Sequence, residues 1–227
     1  MLKKWEDIPV EMQIEEVRPY YKSLKKKSAS LVLKRVFDIF MALALIIVLS
    51  IPMLFVACWI KIDSKGPVFY RQERVTTYGE KFWIYKFRTM DNDADRKGSL
   101  VTVSEDCRIT KVGQKIRRCR IDEIPQLFNV IRGDMSFVGT RPEVPKYVEL
   151  YTNEMYATLL LPAGVTSLAS LRYKYEDVVL NEMVSNGMTL DCAYVEQVLP
   201  DKMKYNLQYL LEFNLIKDFK ICIKTIM

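Results

Sequence analysis

Between Ile39 and Ile60 the chain carries no charged residue, and this is its longest apolar run. The length suits a helix that crosses or enters a bilayer. Ser50 and Pro52 interrupt it near the middle. Proline removes a backbone donor and crowds the preceding turn, so a bend is expected there. Basic residues stand on both sides: Lys25, Lys26, Lys27, Lys34 and Arg35 before, Lys61, Lys65, Arg71 and Arg74 after. A crossing helix normally biases its positive charge toward the cytoplasmic side. The symmetric flanks fit a re-entrant helix that bends and returns to the side it came from. An ordinary kinked transmembrane helix fits the residues equally well. Asp38 is expected at headgroup depth near Arg35.

Upstream, residues 1–30 are polar, with apolar positions (Trp5, Ile8, Val10, Met12, Ile14, Val17) that follow no clean period. They read as a loosely ordered or surface-lying arm, or as an amphipathic segment that docks on a membrane or partner. Downstream, Val68–Tyr70 and Phe82–Phe87 read as strands of a hairpin with its turn near Tyr78 and Gly79. Residues 97–110 read as a surface loop. Asp122 is placed to cap a helix running to about Ile131, with Pro125 in its first turn and Gly133 as its stop. Residues 143–160 read as helix. Leu159 to Leu171 is an apolar, Ser-bearing segment, and residues 194–227 read as helix with an apolar face, divided at Pro200.

Composition narrows the chemistry. The 227 residues fit one domain with an appendage, and a net charge of +6 favours anionic partners. Basic and aromatic residues do not interleave as in nucleic-acid binders, so nucleic acid is not expected. Five scattered cysteines without a CxxC pair point to reduced thiols rather than a disulfide framework or zinc knuckle. There is no histidine, which removes Ser-His and Cys-His catalysis and His-ligated metals. An enzyme must therefore work with carboxylates, Lys, Arg, Tyr or Cys.

The candidate chemistry lies between Arg117 and Pro142. Asp122 and Glu123 are adjacent carboxylates among Arg117, Arg118, Arg120, Arg132 and Arg141. An isolated Asp-Glu pair at a helix start usually only stabilises the helix; the arginines and the glycine-bearing loops favour a phosphate site. Without histidine, a carboxylate can attack a phosphoryl group to give an acyl phosphate, with arginines and a divalent cation offsetting repulsion. Magnesium suits such a site, since it accepts few protein ligands and completes its shell with substrate phosphates. The alternating acids Asp91, Asp93 and Asp95 fail as an EF-hand loop, because Arg96 and Thr102 occupy the positions of its glycine and glutamate. A nucleotide-sugar metal site at Asp91/Asp93 is the weaker alternative to a polar loop.

The segments KRVFDI, PVFYRQERV, FWIYKFRTM, RIDEIPQLFNVIRGDMSFVGTRP and PAGVTSLAS, in that order, resemble the bacterial sugar transferase family, the monotopic phosphoglycosyl transferases. The resemblance covers the chain from about Lys34 to the C-terminus. It implies an α+β, mostly helical monotopic membrane protein. Residues 1–30 are an N-terminal extension, 31–62 a re-entrant membrane helix broken at Ser50 and Pro52, and 63–227 a cytoplasmic catalytic domain with a short β-hairpin and membrane-interface helices. It implies transfer of a sugar 1-phosphate from a UDP-sugar to undecaprenyl phosphate, with release of UMP, at the cytoplasmic face of the bacterial inner membrane. Asp122 is then the covalent nucleophile, Glu123 the ligand of Mg2+, and Arg117 and Arg141 the phosphate-binding residues. Membrane phospholipid is an implied partner, and a homo-oligomer is left open. Three positions depart from the family pattern. Ile51 separates Ser50 from Pro52, Thr140 stands where GPRP has its first proline, and PAGVTS replaces PGITG. A non-catalytic membrane adaptor is the reading from a different class; an aspartyl phosphatase lacks its D-x-D-x-[TV] arrangement.

Overall fold

A computed structural model of the chain describes residues 2–91, 107–173 and 175–226. Asp93 and Asp95 of the acid triplet, and most of the 97–110 loop, lie outside the described residues. Among the described residues helices predominate, with two small two-stranded sheets.

The N-terminal segment is part of the fold rather than a loose arm. Two short 3-10 turns, Trp5–Asp7 and Val10–Met12, lead into helix α1, Arg18–Lys25. Ile8, Met12, Val17, Tyr20, Tyr21 and Leu24 are buried in the largest apolar cluster. Their spacing concealed this because irregular turns, not one helix, deliver them to the core. Polar contacts fasten the same segment: the Lys3 amide donates to the Tyr78 hydroxyl at 2.8 Å, and the Tyr20 hydroxyl donates to Glu154 at 2.6 Å.

Helix α2, Ser28–Asp63, is one 36-residue element that continues through Ser50 and Pro52. The expected break is not resolved into two helices; the Ser50 hydroxyl instead donates to the Ile47 carbonyl at 2.8 Å, within the turn that proline weakens. Leu31, Lys34, Arg35, Asp38, Ala42, Leu45, Ile46, Leu49, Met53, Val56, Ala57 and Ile60 are buried or half-buried. Steps of three, four and one residue put them on one continuous face. That face touches three clusters in turn: Leu31 the largest, Ala42 to Leu49 the second, and Met53 to Ile60 the third. The opposite face exposes Phe37, Phe40, Ile47, Ile51, Phe55 and Trp59. By length and composition α2 is apolar enough to cross a membrane.

Polar groups fix both ends of α2. Lys34 pairs with Asp218 at 2.6 Å, both nearly buried. Arg35 donates to the carbonyls of Val130 and Ile131. Asp38 is buried within the protein and accepts from the Phe137 amide at 3.3 Å. At the far end Asp63 accepts from the Val112 amide.

Strands β1, Phe69–Val75, and β2, Lys81–Phe87, form the expected antiparallel hairpin, with Arg71 opposite Tyr85 and Arg74 opposite Phe82. Tyr78 and Gly79 turn it with positive φ, as the sequence indicated. Helix α3, Lys111–Arg118, is capped by Thr110, whose hydroxyl accepts from the Gly113 amide. Gly113 has a steric reason: a Cβ there would lie 2.0 Å from the Thr89 carbonyl oxygen. Helix α4, Gln126–Arg132, ends at Gly133 with φ 102°, as expected of a glycine stop. Strand β3, Met135–Val138, pairs in parallel with β4, Ala163–Thr166.

Between these strands the 143–160 region is less helical than expected. It holds a single turn, α5, Pro145–Val148, and a 3-10 segment, Asn153–Leu160. Helices α6, Leu168–Arg172, α7, Glu176–Ser185, and α8, Leu190–Ala193, follow. A π turn, Tyr194–Val198, runs into α9, Leu199–Glu212, and then α10, Leu215–Ile226. Pro200 lies just past the π turn in a helical run that continues from α8 into α9, so the division falls after Glu212 instead. All five cysteines are free thiols.

Candidate active site

The two carboxylates occupy a 3-10 turn, Ile121–Glu123, between α3 and α4. Asp122 is not the N-cap of α4; Pro125 precedes that helix, and no side chain caps it. The reason lies in Arg120, which adopts a left-handed conformation with φ 53°. That geometry costs a non-glycine residue about 1 kcal/mol, and it turns the chain sharply after α3. Ile121 and Ile124 then pack into the third apolar cluster beside Phe87 and Ile116. With the isoleucines facing inward, Asp122 and Glu123 are left to the polar side of the turn.

Glu123 is held on one oxygen. Its Oε1 accepts from Arg141 Nη2 and from Lys86 Nζ, the latter at 3.2 Å. Among the described residues its Oε2 has only Arg120 Nη1, at 3.9 Å. Burial works to raise the Glu123 carboxyl, but Arg141 and Lys86 outweigh it and hold the group well below the usual carboxylate range. Arg141 is correspondingly raised, chiefly by Glu123. Lys86 is lowered because its burial outweighs the attraction of Glu123.

Asp122 differs from its neighbour. It is half-buried, and its carboxylate accepts no hydrogen bond among the described residues. Burial raises it; Lys86, Arg117 and Arg141 pull it down, and Glu123 pushes it up. The result is a carboxylate of raised basicity, unengaged, in a cationic field. Arg117, on the last turn of α3, is half-buried and makes no ion pair among the described residues. It acts on Asp122 through space.

Arg141 is placed by the two parallel strands. The Gly139 amide donates to the Thr166 carbonyl at 3.0 Å, and the Gly164 amide donates to the Thr140 carbonyl at 2.8 Å. The ladder thus continues past β3 and fixes the backbone of Thr140, where the family pattern has proline. Gly139 and Gly164 are needed for the approach: a Cβ on Gly164 would lie 2.3 Å from the Gly139 nitrogen. Behind Arg141, half-buried Arg74 donates to the Pro142 carbonyl at 3.0 Å, and Glu143 accepts from the Tyr194 hydroxyl.

The structure therefore brings together Asp122, Glu123, Arg117 and Arg141. Ser50 and Pro52 are exposed on α2 and take no part in this cluster. Sequence reasoning placed Arg120 among the basic neighbours of the pair and Arg74 and Lys86 in a basic hairpin, but did not join Lys86 to Glu123, Arg74 to the support behind Arg141, or a backbone turn to Arg120. Lys86 left a signal: alternation along FWIYKF puts it on the face of Phe82 and Ile84, both buried, and a lysine on a core face needs a partner. The backbone strain at Arg120 left none.

Among the described residues no group of three or more His, Cys, Asp or Glu side chains could hold a metal ion. A fully protein-built metal cage is therefore not present in that part of the chain. Glu123, whose Oε2 accepts from neither Arg141 nor Lys86, nevertheless offers the single carboxylate oxygen that suits magnesium, an ion that fills its shell with water and substrate phosphates.

Comparison with known proteins defines the class. Residues 29–227 match the family model described as bacterial sugar transferase. The chain belongs to this family and is an enzyme of the phosphoglycosyl transferase class. Among its relatives is the UDP-N-acetylgalactosamine-undecaprenyl-phosphate N-acetylgalactosaminephosphotransferase of Aeromonas hydrophila, 35% identical over 86% of this chain and 43% of that protein. The UDP-glucose:undecaprenyl-phosphate glucose-1-phosphate transferase of Caulobacter vibrioides is 34% identical over 85% of this chain and 68% of that protein. A Bacillus subtilis protein described as the uncharacterized sugar transferase EpsL is 39% identical over 62% of this chain and 69% of that protein.

Proposed function

We propose that the chain transfers a sugar 1-phosphate from a UDP-sugar to undecaprenyl phosphate through a covalent intermediate on Asp122. The observation that carries this is the division of labour between adjacent acids. Glu123 is saturated by Arg141 and Lys86 on one oxygen, while Asp122 is unengaged and faces three cations. A nucleophile has to be free, and a phosphate-rich substrate has to be met by positive charge.

In the first step an Asp122 carboxylate oxygen bonds to the β-phosphorus of the donor. The bond from that phosphorus to the bridging oxygen breaks, and UMP leaves with the electron pair. In the second, a phosphate oxygen of undecaprenyl phosphate bonds to the same phosphorus, and the bond to Asp122 breaks. Arg117 and Arg141 bind the phosphate oxygens, and Lys86 keeps Glu123 ionised and in place. Glu123 would hold magnesium, which would supply charge neutralisation at the substrate phosphates.

The lipid acceptor accords with α2. Both of its ends are fastened to one globular body, and its free face is apolar. A helix that crossed the bilayer perpendicularly would separate those ends by the membrane thickness. We read α2 as a re-entrant helix lying in one leaflet, with the catalytic domain on the cytoplasmic face of the inner membrane. The product then begins a surface glycan or glycoconjugate.

The test is Asp122→Asn in the full chain, incubated with a panel of UDP-sugars, Mg2+ and undecaprenyl phosphate. The wild type releases UMP with at least one donor and forms a protein-bound phosphosugar. The variant does neither. Substantial UMP release by the variant refutes Asp122 as the nucleophile; no release by the wild type with any donor returns the chain to the adaptor reading.

A further inference from the structure

The hairpin has a second charged face, away from Lys86. On it Arg71 stands opposite Tyr85 in the strand register, and Trp83 lies two residues before Tyr85. The Arg71 guanidinium is 5.2 Å from the Tyr85 ring centroid, and that of Arg132, at the end of α4, is 5.4 Å from the same centroid. Arg132 also donates to the Tyr85 hydroxyl at 2.9 Å. Both arginines are exposed, and neither has a carboxylate partner among the described residues. Glu73, on the same face, is paired with Lys81 at 3.2 Å.

Two like charges gathered on one ring, with no acid between them, repel each other unless an anion joins them. The ring stabilises each through its π face, which orients them without neutralising them. Their setting says which anion. Arg132 directly follows Val130 and Ile131, whose carbonyls hold Arg35 at the threshold of the apolar stretch of α2. Trp83 is 55% exposed and Phe128, one turn before Arg132, is 41% exposed. Exposed aromatic rings beside arginine, level with the end of an apolar helix, are the composition of a membrane–water interface.

We propose that Arg71 and Arg132, oriented by Tyr85, form a binding site for the phosphate of an anionic phospholipid headgroup. This site is separate from the Asp122 cluster, and it rests on the reading of α2 as lying in the membrane. Trp83 and Phe128 enter the acyl boundary on either side of the headgroup. The lipid acts as a fixed counter-ion that sets the depth and tilt of the hairpin against the bilayer.

The experiment uses the full chain in mixed micelles with equal amounts of phosphatidylglycerol and phosphatidylcholine, and native mass spectrometry counts retained lipids. The wild type should retain phosphatidylglycerol over phosphatidylcholine. Arg71→Gln, which removes no hydrogen bond, should reduce that preference about five-fold, and the double variant with Arg132→Gln about twenty-five-fold. Lys217→Gln/Lys220→Gln, equal in charge change but on α10 rather than on the hairpin or α4, should keep the wild-type preference. Equal retention of both lipids by the wild type, or an unchanged preference in Arg71→Gln, overturns the site. Inorganic phosphate at millimolar concentration that abolished the preference would show a free-anion site instead, and would also overturn it. Co-sedimentation with pure phosphatidylcholine vesicles tests α2 separately. Failure there removes the membrane reading, whereas success with no phosphatidylglycerol preference removes only this proposal.

Discussion

The contact between Glu123 and Arg141 can be weighed by replacing each partner with glutamine, alone and together. Glu123 is 11% exposed and Arg141 31% exposed, so the pair is largely removed from water. Breaking a buried pair from one side costs about 3–5 kcal/mol, because a charge is left unmatched. Here Lys86 stays at 3.2 Å from Glu123 and Arg141 is partly solvated, which reduces the expected coupling to about 2 kcal/mol. Equilibrium unfolding of the four proteins in the same detergent yields that coupling directly. The pH dependence adds a second check. Glu123 has its native value depressed, so its contribution is complete above the unfolded value of about 4.3 and is lost as pH falls toward the native value. In Arg141→Gln the native value rises, so the coupling should be largest near neutral pH and shrink below about pH 4. A coupling under about 0.5 kcal/mol, or one that grows on acidification, would refute the account of how Glu123 is held. Turnover should fall more than a hundred-fold in Arg141→Gln, since one phosphate-binding cation is lost along with the positioning of Glu123.

Other substitutions probe the support of the site. Gly164→Ala should destabilise by about 3 kcal/mol, because the new Cβ meets the Gly139 backbone; a thermal-unfolding midpoint within a degree of wild type would contradict it. Lys34→Met should cost about 3 kcal/mol at pH 7 by stranding Asp218. Burial raises the Asp218 carboxyl while Lys34 lowers it, so losing Lys34 raises it further; the penalty should then be smaller at pH 4 than at pH 7, measured by denaturant unfolding. Burial pushes the Cys222 thiol up to about 11, so at pH 8 it should react with a soluble thiol reagent about a hundred-fold more slowly than exposed Cys119, as mass-resolved labelling would show.

What could be read from the sequence was whatever depends on local rules. The hairpin, the Gly133 stop and the apolar helix follow from alternation, backbone freedom and length, each decided within a few residues. Asp122, Glu123, Arg117 and Arg141 came forward because charge was concentrated in one stretch and that stretch resembled a family motif. The departures are where tertiary contacts decide. The first 27 residues have no amphipathic period, yet Met12, Val17 and Leu24 are buried, because distant segments complete their surroundings. Asp122 satisfied the local rule for a helix cap, but the left-handed Arg120 and the inward pull of Ile121 and Ile124 placed it in a tighter turn. Asp38 stands at the start of the apolar run with no local sign of a partner, and the Phe137 amide that it binds lies far along the chain.

The unbroken contact face of α2 also acts as a ruler. Each inserted or deleted residue rotates everything beyond it by about 100°. Pro52 lies between the two anchored ends, Asp38 and Asp63, without disturbing the angular phase that links them. The helix therefore tolerates exchange of one apolar side chain for another on its outer face far better than any change of length. A single-residue insertion near Ser50 would turn Ile60 and Asp63 away from α3, or Asp38 and Ala42 away from β3 and α4. The separation between those anchors is thus a property of register, and lengthening the apolar run while keeping both ends in phase would require adding whole pairs of turns, about seven residues at a time.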